Sequence, residues 1–289
     1  MSGPRDQAQG SAPAPESGHR SRWRRFSPSM GWRAFWSEIV IVVLGVVIAL
    51  AANEAVQEWN WRNKVKDAEA RLEGDVTWAF LWAAEKYASQ PCVDAQLAAL
   101  ARKVLESADT LEPVPVQTSN GPQKVVRFPN RPYRFPTWDA LIADGTANHF
   151  SPPRQAFLGR LSNSMAGSYG VEIQTRGMLG RLLLLRDPIA LDPVVRAELL
   201  TRIGEVRSIT SFEALNAQQR MRLIADNGSA PADEVVERFL NASGARKAGA
   251  EFSGMATYCK AGGYPFADWR DYRKITVNTG LVPGMEVRK

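Results

Sequence analysis

Two histidines and two cysteines are all that 289 residues hold of the side chains that most often bind metals. His19 lies in the N-terminal leader and His149 stands alone, while Cys92 and Cys259 are far apart with no CxxC spacing. Zinc, haem and iron–sulfur sites need clustered ligands, so none is expected here, nor any other cofactor. Glycine occurs 22 times, yet never in the GxGxxG or P-loop spacing that cradles a phosphate. The formal charge of +6 is also unconcentrated. Residues 1–38 hold Arg5, Arg20, Arg22, Arg24, Arg25 and Arg33 against Asp6, Glu16 and Glu38, leaving 30 of the 36 basic and 27 of the 30 acidic residues to the remainder. That balance excludes the dense basic face of a nucleic-acid binder.

What the chain does have is one apolar run, Ile39 to Ala52, 14 residues without a charge. Length alone fits a buried helix or a signal-peptide core as well as a membrane span. The flanks favour the span. Trp32, Phe35 and Trp36 stand on one side and Trp59 and Trp61 on the other, as interfacial aromatics do at the two edges of a bilayer. From Trp36 to Trp59 is roughly 34 Å of helix at about 1.5 Å per residue, close to a hydrocarbon core of about 30 Å. Glu38, Asn53 and Glu54 then fall near the headgroups, where polar groups cost far less than at the bilayer centre. Two alternatives stay open: a signal peptide cleaved after Ala49-Leu50-Ala51, and a soluble helix buried all round.

Cytoplasmic flanks are enriched in Lys and Arg. Five arginines (Arg20, Arg22, Arg24, Arg25, Arg33) precede the run, and Arg62, Lys64, Lys66 and Arg71 follow it. The rule applies to short segments, so it places the leader in the cytoplasm and the larger C-terminal part outside.

In chain order, residues 1–30 lack apolar periodicity and are expected to be a disordered basic leader, followed by an anchor at 31–60 and an extracytoplasmic helical domain at 61–289. After the anchor, Val65, Ala68, Leu72, Val76, Ala79, Ala83 and Tyr87 recur at helical spacing, predicting one long helix that emerges from the membrane. Pro91 is expected to break it, with a second helix from about Val93 to Ser107 folding back as a hairpin and burying Leu97, Leu100, Ala101, Val104 and Leu105. Residues 109–136 carry six prolines and read as an extended loop, with strand-like pieces at Val114–Gln117 and Lys124–Phe128 able to pair as a hairpin. A short helix follows at Trp138–Ala143, ending near Gly145.

Ser151-Pro152 then opens a long amphipathic helix whose apolar face is Phe157, Leu161, Met165, Tyr169, Ile173 and Leu179 to Leu185, ending at Asp187-Pro188. Asp192-Pro193 opens another, with Val195, Leu199, Ile203, Val206, Ile209, Phe212, Leu215 and Leu223 inward, ending at Asn227-Gly228. A helix at about Ala232–Asn241 and an aromatic C-terminal loop with Gly262-Gly263, Trp269 and Pro283 complete the chain. The fold class is therefore all-α: a single transmembrane helix continuing into a helical bundle, with a long proline-rich loop.

The anchor FWSEIVIVVLGVVIALAANEAVQEW resembles that of a family of uncharacterised bacterial single-span inner-membrane proteins, which begin with an aromatic residue, a Glu-Ile pair and Val-Leu-Gly-Val-x-Ile-Ala-Leu. Pro91-Cys92 and Thr137-Trp138-Asp139-Ala140-Leu141 with Gly145 are similar to later landmarks of that family. The resemblance implies an inner-membrane protein with an exported helical domain, and no activity.

Candidate sites are few. Cys92 and Cys259 are potential disulfide partners if the domain is exported; the alternative is two separate buried thiols. Bridged, they would close a loop of about 168 residues and contribute roughly 4–5 kcal/mol in the chain-entropy model. Trp32, Trp36, Trp59 and Trp61 are the membrane-interface candidates. Gly45 and Ala49 have the small-xxx-small spacing that lets two spans approach closely. His149 beside Asp139 or Asp144 is the lone candidate general base, with an ordinary loop histidine as the competing reading. Gly167-Ser168-Tyr169-Gly170 lacks the spacing and context of a nucleophile elbow, and the carboxylates read as solvated faces. The expected partners are the lipid bilayer and a second copy or another envelope protein; the expected role is interaction, scaffolding or sensing, with an anchored hydrolase as the alternative.

Overall fold

The computed structural model describes residues 31–115, 125–241 and 254–274, with the side chains of 33 and 34 excepted. The leader, most of the expected 114–128 hairpin and Pro283 lie outside these residues. The chain divides into two compact units, Met1–Gln57 and Glu58–Lys289.

The all-α reading holds. Helix α1 runs Trp32–Glu106, α2 Pro136–Ala143, α3 Pro152–Arg181, α4 Pro193–Asp226, α5 Asp233–Asn241 and α6 Met255–Ala261. Short 3-10 turns follow at Thr146–His149, Leu182–Arg186 and Trp269–Arg273. The strands among the described residues are two-residue pieces, β1 (Thr110–Leu111) and β2 (Ile189–Ala190), paired antiparallel.

In the first unit the apolar residues 39–52 are exposed along their whole length. Among the described residues one helix is long and apolar enough to cross a membrane, and none of its apolar window is covered by protein.

The second unit is built around residues 68–104 of α1, which are covered by two apolar clusters. One gathers Leu72, Val76, Phe80 and Ala83 of α1 with Trp138, Phe157, Leu161, Met165, Met221, Ile224 and Trp269. The other gathers Val93, Leu97 and Val104 with Val126, Phe128, Leu182, Leu199, Ile203 and Cys259. Helices α3 and α4 pack on each other and supply both clusters. Their starts follow local chemistry. Pro152 and Pro193 occupy first-turn positions, where a missing N–H costs nothing. Asp192 caps α4 by accepting the Val194 and Val195 N–H groups at 2.8 Å each.

Several expectations are corrected. Pro91 does not end a helix: α1 passes through it to Glu106, so there is no hairpin between residues 61 and 106. Proline removes one ladder bond and crowds the preceding turn, typically at a cost of about 3 kcal/mol. Here Ala88, Ser89, Cys92 and Val93 are fully buried around it, and the Ala88 carbonyl accepts the Ala267 N–H at 2.9 Å. Packing on every side outweighs the local penalty. Leu105, Tyr169, Ile173, Phe212 and Leu215 point outward rather than inward. The C-terminal aromatics do pack on the bundle, Trp269 and Tyr272 meeting Phe80 edge-on at 6.0 and 5.8 Å, and the short helix α6 was not anticipated. The segment at 110–111 pairs with residues 189–190 across the molecule.

Candidate functional site

Where Tyr169, Ile173, Phe212 and Leu215 turn outward, charged and hydroxyl side chains turn inward. Glu172 and Thr175 of α3, Glu213 of α4 and Lys86 of α1 meet at the point along α1 where one apolar cluster gives way to the other. The Lys86 ammonium donates to Glu213 Oε2 at 2.8 Å, to Glu172 Oε2 at 3.0 Å and to the Pro129 carbonyl at 3.0 Å. An ammonium has three protons to give, so its donors are fully used. The Phe128 ring lies 3.4 Å from the same nitrogen, an additional cation–π contact. Thr175 Oγ1 donates to the other Glu213 oxygen at 2.8 Å. The remaining Glu172 oxygen faces Arg176 Nε at 3.4 Å, and Arg176 also binds Asn130.

Arg220, on α4, is 2% exposed and occupies the adjoining space. It donates to the Ser164 hydroxyl at 3.2 Å, the Ser164 carbonyl at 3.1 Å and the Ser168 hydroxyl. The Tyr133 ring lies 5.1 Å from its guanidinium carbon. Lys86 and Arg220 thus balance Glu172 and Glu213.

Burial opposes the Lys86 charge, but Tyr133, Glu213 and Glu172 outweigh it and hold the lysine above its usual range. Burial pushes the Glu213 carboxyl up, and the Lys86 charge and hydrogen bond offset only part of that. Burial likewise raises the Tyr133 phenol and pulls Arg220 down. A buried pair of this kind adds little net stability over well-packed apolar residues, but removing one partner strands a charge at a cost of about 3–5 kcal/mol.

The cluster also pins the proline-rich segment. Glu85 takes the Arg131 guanidinium in a two-toothed grip at 2.6 and 2.8 Å. One turn-and-a-half either side of Pro91 the pattern repeats: Gln96 accepts the Arg127 N–H at 2.8 Å and donates to the Arg127 carbonyl at 3.1 Å. Residues 127–131 are held by Gln96, Lys86 and Glu85, all from one helix. Chemically the site is a lock. Its lysine has no free donor for a substrate and its carboxylates are already engaged.

The carboxylate reading from sequence is therefore wrong at Glu85, Glu172 and Glu213, which are buried. A signal for them was present. Positions 157, 161, 165, 168, 172, 175 and 179 are all buried at steps of four or three along α3, and 199, 203, 206, 210, 213, 217 and 220 are buried at alternating steps of four and three along α4. Polar residues in register with an apolar stripe belong to the stripe.

Of the candidates named from sequence, Cys92 and Cys259 are brought together, with sulfurs at a bonding distance of 2.08 Å, Cα atoms 5.8 Å apart and both residues fully buried. Trp32, Trp36 and Trp59 are exposed. Trp61 is half-buried, its ring lying flat on His149 with centroids 3.9 Å apart. The face of Gly45, shared with Ala49, has nothing within 4 Å. His149 is exposed and engaged with Trp61, while Asp144 accepts the Thr146 N–H at 2.9 Å, which holds its carboxyl below the usual range. A base–carboxylate pair is not assembled there. Ser168 lies inside α3 and accepts from Arg220. An open groove lies between α1 and α5, floored by Trp78, Leu81, Val235 and Phe239. Among the described residues no group of three metal-ligating side chains converges. No family model, no curated protein and no solved structure matches this chain.

Proposed function

We propose that the chain is a single-pass protein of the bacterial inner membrane, with its leader in the cytoplasm and its helical unit in the periplasm, serving there as an interaction, scaffold or sensing element. The observation that carries the reading is the pairing of Cys92 with Cys259, because such bridges persist in oxidising compartments and are rare in reducing ones. The uncovered apolar stretch from Ile39 to Ala52 supports the anchor, since a soluble helix would have to bury it. The anchor's resemblance to uncharacterised bacterial single-span proteins agrees with both. An interaction role is favoured because the buried charges are saturated by the chain itself, whereas the groove of Trp78, Val235 and Phe239 stays open.

The test is topological. A periplasm-dependent reporter fused after Lys289 should be active, the chain should resist carbonate extraction, and the two cysteines should react with a thiol reagent only after reduction. A reporter active solely in the cytosol, or a chain released without detergent, overturns the reading.

A further inference from the structure

The short helix α5 has three flanks of different chemistry. Val236 and Leu240 are buried in the core. Asp233 and Glu237 are taken by the C-terminal turn: Arg270 and Arg273 donate to Asp233 at 3.1 and 2.8 Å, and Arg270 also binds Glu237. The third flank, with Val235, Arg238 and Phe239, forms one wall of the groove against α1. The facing stretch of α1 is divided in the same way. Leu72 and Val76 are buried, Glu69 accepts from Arg154 at 2.6 and 3.0 Å, and Asp75 accepts the Thr137 N–H at 3.3 Å. Glu73, Gly74 and Trp78 are left facing the groove. Glu73 and Arg238 are both exposed, and among the described residues neither side chain has an ion-pair or hydrogen-bond partner.

Two further features of this patch fit each other. Trp78 stands out of it, 48% exposed, with Phe239 meeting its ring edge-on at 5.9 Å between centroids. Gly74, about one turn before it, leaves a hollow, since nothing lies within 4 Å of the point where a side chain there would begin. The groove encloses about 600 Å³, room enough for an indole ring. One patch therefore carries an unpaired acid and an unpaired base, a projecting ring and a gap. Surfaces that pair by two-fold rotation must hold the complement of each of their own features, because residue i of one copy meets j of the other and j meets i. A tryptophan desolvated at the centre of such a patch is the kind of side chain that carries most of an interface's affinity.

We infer that this face of α1 and α5 is where a second copy of the chain docks, Trp78 of each copy entering the hollow at Gly74 of the other and Glu73 of each pairing with Arg238 of the other. The inference names the partner for the interaction reading above and rests on it. The occupant is another copy rather than a foreign protein because both charges and both shapes find their complements within the same patch.

The full chain in mild detergent, its protein mass followed by light scattering across the micromolar range, tests the pairing. The native chain should pass from monomer to dimer as concentration rises. Gly74→Gln has free space in the monomer and suits a helix better than glycine, so it should keep or raise the melting temperature while weakening the dimer several-fold. Glu73→Arg sets like charges against each other at both symmetric contacts and should also weaken it several-fold. Adding Arg238→Glu to Glu73→Arg should restore the native dissociation constant. A chain that stays monomeric overturns the inference, as does a dimer indifferent to Gly74→Gln and Glu73→Arg, which would place the contact elsewhere, or a charge exchange that restores nothing. Monomers holding a different protein that Gly74→Gln releases overturn it too. A monomer that still needs detergent for extraction leaves the membrane reading standing, whereas a groove-dependent dimer released without detergent removes that reading and keeps this inference.

Discussion

Helix α1 contains two stretches that reverse the usual relation between composition and burial. Residues 39–52 are wholly apolar and uncovered, whereas residues 79–93 include Glu85, Lys86 and Ser89 and are almost wholly covered. The difference teaches that burial in this chain follows from which neighbours are present, not from the apolar count of a segment. An apolar helix with no protein partner calls for another apolar medium. A charged segment can sit inside when each charge meets an opposite charge and every polar proton finds an acceptor. Lys86 meets both conditions with Glu172, Glu213 and Pro129.

The sharpest way to break the contrast is to unbalance the covered stretch. Lys86→Met removes the cation between two buried carboxylates and should destabilise the helical unit by about 3–5 kcal/mol in chemical denaturation. Adding Glu172→Gln and Glu213→Gln should recover most of the loss; if it does not, the lysine matters for its contacts with Phe128 and Pro129 rather than its charge.

The same side chain sets a pH dependence. Its folded pKa lies above the usual 10.5, so the folded state holds the proton more tightly than the unfolded chain. That contribution is complete below about 10.5 and is lost as pH rises through the folded value. Glu213, also raised, likewise favours the folded state at lower pH. Thermal melts across the alkaline range should show falling stability in the native protein and a flatter profile in the triple variant.

The uncovered stretch can be challenged from the other direction. Val43→Arg puts a charge at the centre of the proposed span at a cost of about 2.5–3.5 kcal/mol on insertion scales, and the membrane-integrated fraction should drop in fractionation. An unchanged fraction would count against lipid as the medium around residue 43. The smallest effect is expected at a surface cap remote from both stretches. Asp192→Ala should cost about 1 kcal/mol, shifting the melting temperature by roughly 2–4 °C in a domain of this size.

Much of the architecture was legible because its punctuation is local. Ser151-Pro152, Asp192-Pro193 and Asn227-Gly228 mark helix ends through proline at a first turn, an aspartate cap and a glycine at φ 67°, all chemistry that acts within four residues. Pro91 was misread for the same reason. Its local penalty is real, but what overrides it comes from residues as distant as Ala267 and Ser211, the latter bonded to Gln90. The buried ionic cluster is invisible to a periodicity of apolar residues alone, because its members occupy stripe positions with charged side chains. Phe212 and Leu215 are exposed where Glu213 and Arg220 are buried, Glu213 meeting Lys86 of α1 and Arg220 meeting Ser164 and Ser168 of α3. The cysteine pair was named from its scarcity, whereas the meeting of His149 with Trp61 depends on the course of α2 and had no signature along the chain.

The link between Cys92 and Cys259 also governs the order of events during synthesis. At a sequence separation of 167, the first thiol leaves the ribosome roughly 8–33 s before its mate at ordinary elongation speeds. Throughout that interval it is an unpaired nucleophile open to exchange with other thiols. The covalent closure can come only when nearly the entire polypeptide has been made, and it then records that α6 has reached its seat.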